Sequence, residues 1–312
     1  MIEKKIKRIK KGGTLVLFPK ESCEYQETFD YMFENSIEIN ETLTGDTIHE
    51  IARIINSKEL EQLILIDYID SYGILLPLIK GKTNVKLIFT SSVANFTNTF
   101  VLNNFKKIIN FYNFNLIKKI GCFDYNLYIT LKKAKYRVEY IMPDIKINKT
   151  KPIKSSDIAI IGNDYDPNNN YYNMLSALKL VDYKRVKVRI TQPVTQSFIN
   201  LFDIKAENIE DDRKLQLNNE LNLYVNFTNS NISKILKSMD SGIPCIVGNV
   251  EMFDDNEFLK KMLVVKGDDN INDIASKIDA VRKNKKLIIE EYLKFRKKYS
   301  KKAETQFKKF MK

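Results

Sequence analysis

Apolar residues in this chain gather in short runs separated by segments of helical spacing. Leu63 to Ile66 is a continuous apolar run, the pattern of a strand buried on both faces of a parallel sheet; Thr14 to Phe18 reads as a further strand, and residues 84–92 as a strand followed by a polar loop. Between them Ile48, Ile51, Ala52 and Ile55 recur at helical spacing over 46–56, behind Asp46 or Thr47 as N-cap. A second helix is predicted near 73–79. Residues 106–114 (KKIINFYNF) read as a further strand, followed by a helix over 123–134 and a strand over 136–142. The segment 144–156 is polar, Lys-rich and aperiodic, which marks a linker.

Behind the linker the pattern restarts. A strand over 156–164 precedes a helix over 167–181 with Pro167 in its first turn. Strands follow at 185–190 and 221–227, then a helix–strand pair within 231–248 and a helix–strand step over 258–265. An amphipathic helix over 271–284 and a helical tail complete the chain. Strands alternating with helices predict α/β units with parallel sheets covered on both faces.

Ligands of such sheets bind beyond the carboxyl ends of the strands. In the first half that edge carries the loops 19–22, 67–72 and 90–93, none glycine-rich. Asp67 and Asp70 are the carboxylates there, and an isolated loop pair reads as turn-forming before it reads as acid and base. His49, the chain's single histidine, lies off the apolar stripe of its helix and suits a solvated or partner-facing role.

Charge changes the picture at the ends only. The formal net charge is +12, yet residues 1–11 carry a net +5 and residues 280–312 a net +10, so the globular middle is slightly acidic. Two basic ends suit contact with an anionic membrane surface better than a basic substrate groove, and they read equally as solubility and a Lys-rich composition. Aromatics interleaved with lysine in the tail (Tyr292, Phe295, Tyr299, Phe307, Phe310) have the spacing of a buried stripe, which argues against nucleic acid as the partner. No apolar run approaches the ~20 residues of a membrane span, and the start lacks a secretory signal pattern, so a cytoplasmic protein, at most peripheral at the inner face of the membrane, is expected. Cys23, Cys122 and Cys245 lie far apart in no metal-like spacing; they read as structural thiols, and no metal site is expected.

One stretch is more specific. In SKILKSMDSGIPCIVGN (233–249) an apolar helical run stops at Gly242, and Pro244 opens an apolar strand. Together with its surroundings, LYVNFTNSNISKILKSMDSGIPCIVGNVEMFDDNEFLKKMLVV (223–265) resembles a bacterial subgroup of the family 4 glycosyltransferases. IAIIGNDYDPNNNYYNMLSALKLV (158–181) is similar to the first strand and helix of the same domain. The resemblance implies the GT-B architecture: two Rossmann-like domains with parallel sheets, and long C-terminal helices crossing back to the N-terminal domain. It implies an acceptor-side domain at 1–145, a linker at 146–156, a donor-side domain at 157–286, and a basic helix at 287–312 packing on the first domain.

It further implies sugar transfer from a nucleotide-sugar to a protein or glycan acceptor, without a metal or other cofactor. The donor would be held by Gly162, Asn163, Thr228, Asn229, Ser230, Asn231, Ile232 and Lys237. The family's two glutamates, eight residues apart, fall on Asn229 and Lys237, and the segment that should carry diphosphate-binding cations reads GNDYDPNNNYYN (162–173). An ammonium offers donors where a carboxylate accepts. Two readings follow: an active transferase in which Lys237 serves as the cation, or a non-catalytic GT-B subunit that partners an active glycosyltransferase or its acceptor. No residue is assigned as catalytic.

Overall fold

The computed structural model describes residues 9–20, 25–33, 35–40, 43–79, 81, 83–147, 155–162, 171–216, 218–224, 232–248, 250–266 and 269–312. The chain divides into two units, Met1–Lys146 with Lys302–Lys312, and Ile147–Lys301.

In the first unit the elements run β1 (Thr14–Pro19), α1 (Gln26–Met32), β2 (Ser36–Ile39), α2 (Gly45–Lys58), β3 (Gln62–Ile66), α3 (Asp70–Leu78), β4 (Asn84–Phe89), α4 (Thr99–Asn113), β5 (Lys119–Cys122), α5 (Tyr125–Lys133) and β6 (Val138–Tyr140). All six strands are parallel, in the order β2-β1-β3-β4-β5-β6. The strands β1, β3 and β4 are buried on both faces, as the continuous apolar run of β3 predicts for that strand. His49 is exposed on α2. The cap of that helix is Thr44, which accepts from the Thr47 N–H, rather than Asp46 or Thr47.

Residues 106–114 are not a strand. They form the second half of α4, capped by Asn98, whose side chain accepts from the Phe100 N–H at 2.9 Å. Val101, Phe105, Ile108, Ile109 and Tyr112 face the core, a helical period that a nine-residue window starting inside the helix conceals. The strand follows at β5. The strand β2 and the helix α1 also escape the sequence pattern, because four- and seven-residue elements hold too few positions to show a period.

In the second unit the elements are β7 (Asp157–Ile161), α6 (Tyr171–Leu178), β8 (Arg185–Val188), α7 (Pro193–Leu201), β9 (Ala206–Asn208), α8 (Asp212–Gln216), β10 (Leu221–Tyr224), α9 (Ile232–Asp240), β11 (Cys245–Ile246), α10 (Glu257–Leu263), α11 (Ile271–Lys283) and α12 (Lys285–Met311). The five strands are again parallel, ordered β11-β10-β7-β8-β9. The step over 258–265 ends in a single bridge, Val264 to Val247, at the sheet's edge. Burial pushes the Cys122 and Cys245 thiols far up, so both stay protonated.

The last helix crosses back: α12 belongs to the second unit up to Lys301 and to the first from Lys302 onward. In the first unit Phe310 is fully buried in a cluster with Val16, Phe18, Phe29, Ile64, Ile88 and Phe123. The buried Lys86 ammonium donates to Gln62 Oε1 (3.1 Å) and to the Phe310 and Met311 carbonyls (2.9 and 2.5 Å), so a lysine inside β4 closes the end of α12. Among the described residues no helix is long and apolar enough to cross a membrane.

Burial, then the neighbouring Lys119 charge, lowers the Lys86 ammonium from 10.5 to about 8. The folded chain therefore releases this proton near pH 8, while the unfolded chain holds it to the ordinary lysine range. Between those values the unfolded state binds more protons, so stability rises with pH. The unfolding free-energy difference between the wild type and Lys86→Met should grow in favour of the wild type from pH 8 to 10 in urea titrations. A flat difference would contradict the depressed value.

Candidate functional site

In the second sheet β7 is central, with β8 and β9 on one side and β10 and β11 on the other. The strand order therefore reverses between β7 and β10, the point at which open parallel sheets bind their ligands. Ile161 pairs with Tyr224 at that edge. The next residue, Gly162, has φ +147°, a conformation that side chains with a Cβ rarely adopt, so glycine is required for the chain to leave β7 here.

On the β10 side the helix is fixed by polar groups rather than by apolar contact alone. Asn222 and Tyr224 alternate onto one face of β10. Asn222 donates to the Gln216 carbonyl (3.0 Å) and to Ser238 Oγ (2.9 Å), and Asn219 donates to Asn222 Oδ1 (2.8 Å). The Tyr224 hydroxyl meets Ser238 Oγ at 2.9 Å and donates to the Lys234 carbonyl at 3.0 Å. All of Asn219, Asn222, Tyr224 and Ser238 are buried, so each bond is made without competing water. The register of α9 along β10 is thereby set.

The other end of α9 closes as the sequence predicts. Gly242 is left-handed at φ +76°, Ile243 N–H donates to the Ser238 carbonyl and Gly242 N–H to the Met239 carbonyl, each at 3.0 Å. This is a Schellman cap. Pro244 then leads into β11, and its carbonyl accepts from Asn222 N–H at 3.1 Å.

Asp240, in the last turn of α9, meets α12. It accepts from the Tyr292 hydroxyl (2.7 Å) and from Arg296 Nε (3.2 Å), and the Arg296 guanidinium also bonds Ser300. Arg296 is 1% exposed. Burial, then the Asp240 charge, raises the Tyr292 phenol well above its ordinary value, keeping it a donor. Neither Asp240 nor Arg296 was singled out by the sequence. A charge near a helix end reads as solvated, and nothing local signals its burial.

The positions predicted for the donor separate accordingly. Gly162 and Ile232 flank the switch point, one closing β7 and one opening α9. Asn163, Thr228, Asn229, Ser230 and Asn231 lie outside the described residues. Lys237 is half-buried, and with Lys234 it forms the less buried stripe of a helix whose other seven residues are buried. It sits five residues beyond Ile232, about 7.5 Å along the axis. Its side chain leans toward the helix N-terminus by the Cα–Cβ direction. Ser233, in the first turn of α9, is buried, and its hydroxyl has no hydrogen-bond partner among the described residues. Sequence reasoning passed over it because a serine among apolar neighbours carries no distinguishing pattern.

In the first unit, by contrast, the carboxylates on the corresponding edge are occupied. Asp67 (φ +50°) accepts from the Thr90 N–H and from its hydroxyl, both at 2.7 Å, joining the loops after β3 and β4. Asp124 accepts from Ser92 Oγ (2.8 Å) and caps α5. Asp70 is exposed and ion-pairs with Lys107 at 2.8 Å. The Lys107 hydrogen bond, then that of Tyr68, holds the Asp70 carboxyl below its usual range, which suits a permanently ionised surface group and not a proton donor. The Asp67–Asp70 pair thus forms turns and surface contacts.

Two cavities in the second unit, about 320 and 480 Å³, lie at the opposite edge of the sheet. Asp157, Lys184, Arg185 and Lys205 line them, where β7 and β8 begin. They are remote from the switch point by the length of the strands. Among the described residues no cluster of His, Cys, Asp and Glu could hold a metal ion.

No family model matches the chain, and no curated protein matches it. Solved structures do. The sucrose-phosphate synthase (tll1590) from Thermosynechococcus elongatus superposes with a TM-score of 0.60 over 95% of each chain, at 9% identity. A glycosyltransferase from Rickettsia africae ESF-5 gives 0.58 over 96% of this chain and 99% of its own, at 10% identity. TarM gives 0.61 over 85% of this chain and 57% of its own, at 14% identity. At such identities the likeness is one of fold, and that fold is the GT-B architecture of glycosyltransferases.

Proposed function

We propose that the protein is a glycosyltransferase of the family 4 type, moving a sugar from a nucleotide-sugar donor to a protein or glycan acceptor. The observation that carries this reading is the switch point between β7 and β10, with Gly162 on one side and the first turn of α9 on the other. Free N–H groups and the positive end of the helix dipole are suited to a diphosphate. In the proposed mechanism an acceptor hydroxyl bonds to the sugar's anomeric carbon as the bond to the nucleoside diphosphate breaks, and the hydroxyl proton passes to the departing diphosphate oxygen. Charge developing on the leaving diphosphate is met by the α9 N-terminus and the Lys237 ammonium. Ser233 supplies a hydroxyl to the same end of the helix. The chemistry is metal-independent in this reading, with Lys237 taking the place of an external cation.

The test is a thermal-shift panel with UDP and the other nucleoside diphosphates at millimolar concentration. A ligand at 100 times its Kd should stabilise the chain by about 2.7 kcal/mol. Lys237→Ala should weaken that ligand by about tenfold, the loss of one charge-assisted contact. The absence of any shift across the panel would sink the donor-site reading.

A second reading is favoured by one residue. Lys237 stands where the resemblance places a carboxylate that would hold the donor ribose, and a lysine cannot accept from ribose hydroxyls. In that case the GT-B fold serves as a non-catalytic subunit for an active glycosyltransferase or its acceptor. A silent nucleotide panel together with co-purification of a second glycosyltransferase would favour it.

A further inference from the structure

The edge of the first sheet where its strands begin, opposite to the edge used by ligands in such folds, is not featureless. Between the starts of β4, β5 and β6 lies a cavity of about 290 Å³. Lys86, Lys118, Lys119, Arg137 and Lys312 line it, with Asn84, and no Asp or Glu is among its lining residues. Five cations around one concavity need an explanation, because like charges at such separations repel.

Part of the explanation is structural. Lys86 donates to the Phe310 and Met311 carbonyls, and Lys119 Nζ donates to the Lys309 carbonyl at 3.0 Å and the Phe310 carbonyl at 3.4 Å. Those two ammoniums answer the negative end of the α12 dipole. The other three have no such duty. The side chains of Lys118, Arg137 and Lys312 show no hydrogen-bond or ion-pair partner among the described residues. The backbone that carries two of them is nonetheless held in place. Lys118 N–H donates to the Val85 carbonyl (2.8 Å), Arg137 N–H to the Tyr112 hydroxyl (3.0 Å), and the Arg137 carbonyl accepts from Ile120 N–H (3.0 Å). Their cations are therefore presented from strand starts rather than from mobile loops. Glu61 is the acid felt by Lys86, and burial, then the Lys119 charge, still keeps the Lys86 ammonium depressed. Asn84 Oδ1 is buried without a hydrogen-bond partner, an acceptor left for a ligand hydroxyl.

We infer that this cavity binds a phosphate monoester dianion. Arg137 offers a bidentate fork, Lys118 and Lys312 add point charges, and Asn84 accepts from a hydroxyl of the same ligand. The volume holds a phosphorylated molecule of the size of glycerol phosphate or a sugar phosphate. Such a group reaches the site either as a soluble metabolite or as the headgroup of an anionic lipid. The site is separate from the switch point between β7 and β10 and does not depend on the reading given to that crevice.

The experiment compares the wild type with a K118A/R137A double variant. Both residues are exposed and neither holds α12, so the fold should be kept, as circular dichroism would verify. Glycerol 3-phosphate is titrated by calorimetry at constant ionic strength, with chloride as the control. Vesicles of phosphatidylcholine with and without phosphatidic acid form a second arm. Binding to glycerol 3-phosphate, weakened at least about tenfold in the double variant, supports a soluble ligand. Binding confined to phosphatidic acid vesicles and lost in the double variant supports the lipid source. No binding in either arm, binding matched by chloride, or binding unchanged in the double variant overturns the proposal. Lys237→Ala, which alters the other crevice, should leave glycerol 3-phosphate binding unaffected.

Discussion

Asp240→Ala should lower the stability of the second unit by about 3–5 kcal/mol, the cost of leaving a buried charge without its partner. Asp240 is the acceptor for both Arg296 and Tyr292, and Arg296 is 1% exposed. Removing the carboxylate takes the Asp240 acceptor, and its charge, away from a guanidinium held in the interior. The pair itself is a weaker source of stability than that figure suggests, since burying two charges costs much of what their attraction returns. A double variant, Asp240→Leu with Arg296→Met, should therefore recover most of the loss. Native-state hydrogen exchange of α9 and β11 resolves the effect, because a two-unit chain need not unfold in one step. Equal destabilisation in the single and double variants would show that the buried charge is not the cause.

The second large effect is expected at the far end of the chain. Phe310→Ala should cost the first unit about 3–5 kcal/mol, the range for emptying a buried aromatic site. Phe310 is fully buried among side chains of β1, β3, β4 and α1, and the adjoining carbonyls accept from Lys86 and Lys119. The tail is thus part of the first unit's core and not an appendage. Exchange protection in β1 and β3 should fall in this variant while that of β7 and β10 is unchanged. Retained protection in β1 would refute the role assigned to the ring. The same burial explains why the tail aromatics are spaced as a stripe: Tyr292, Phe295, Tyr299 and Phe310 are all buried.

Much of the candidate crevice could be read in advance. Gly242 as a left-handed cap, Pro244 before a buried strand and the buried run Cys245–Val247 follow from local backbone chemistry, and each occurs as read. Gly162 at the end of β7 is a further position of this kind. What holds α9 in place was not legible. Asn219 precedes an apolar strand, Asn222 and Tyr224 sit in it and Ser238 in a helix, and only their meeting in space turns four ordinary polar residues into a fixed support.

The misreading of 106–114 has the same origin as the reading that succeeded at 63–66. Both segments are rich in Ile, Leu or aromatic residues, and a short window cannot separate a buried strand from the inner face of a helix. Only the core contacts of Val101 through Tyr112 decide the matter.

By itself the sequence determined the class of fold, because alternating apolar runs and helical stripes leave few arrangements that bury both. It also determined the turn from Gly242 to Pro244 and that the positive charge belongs to the ends. Tertiary structure alone decided the strand orders β2-β1-β3-β4-β5-β6 and β11-β10-β7-β8-β9, since pairing between distant strands leaves no local mark. It alone decided that Lys86 and Arg296 are buried, because whether a charge can leave water depends on partners brought from more than fifty residues away.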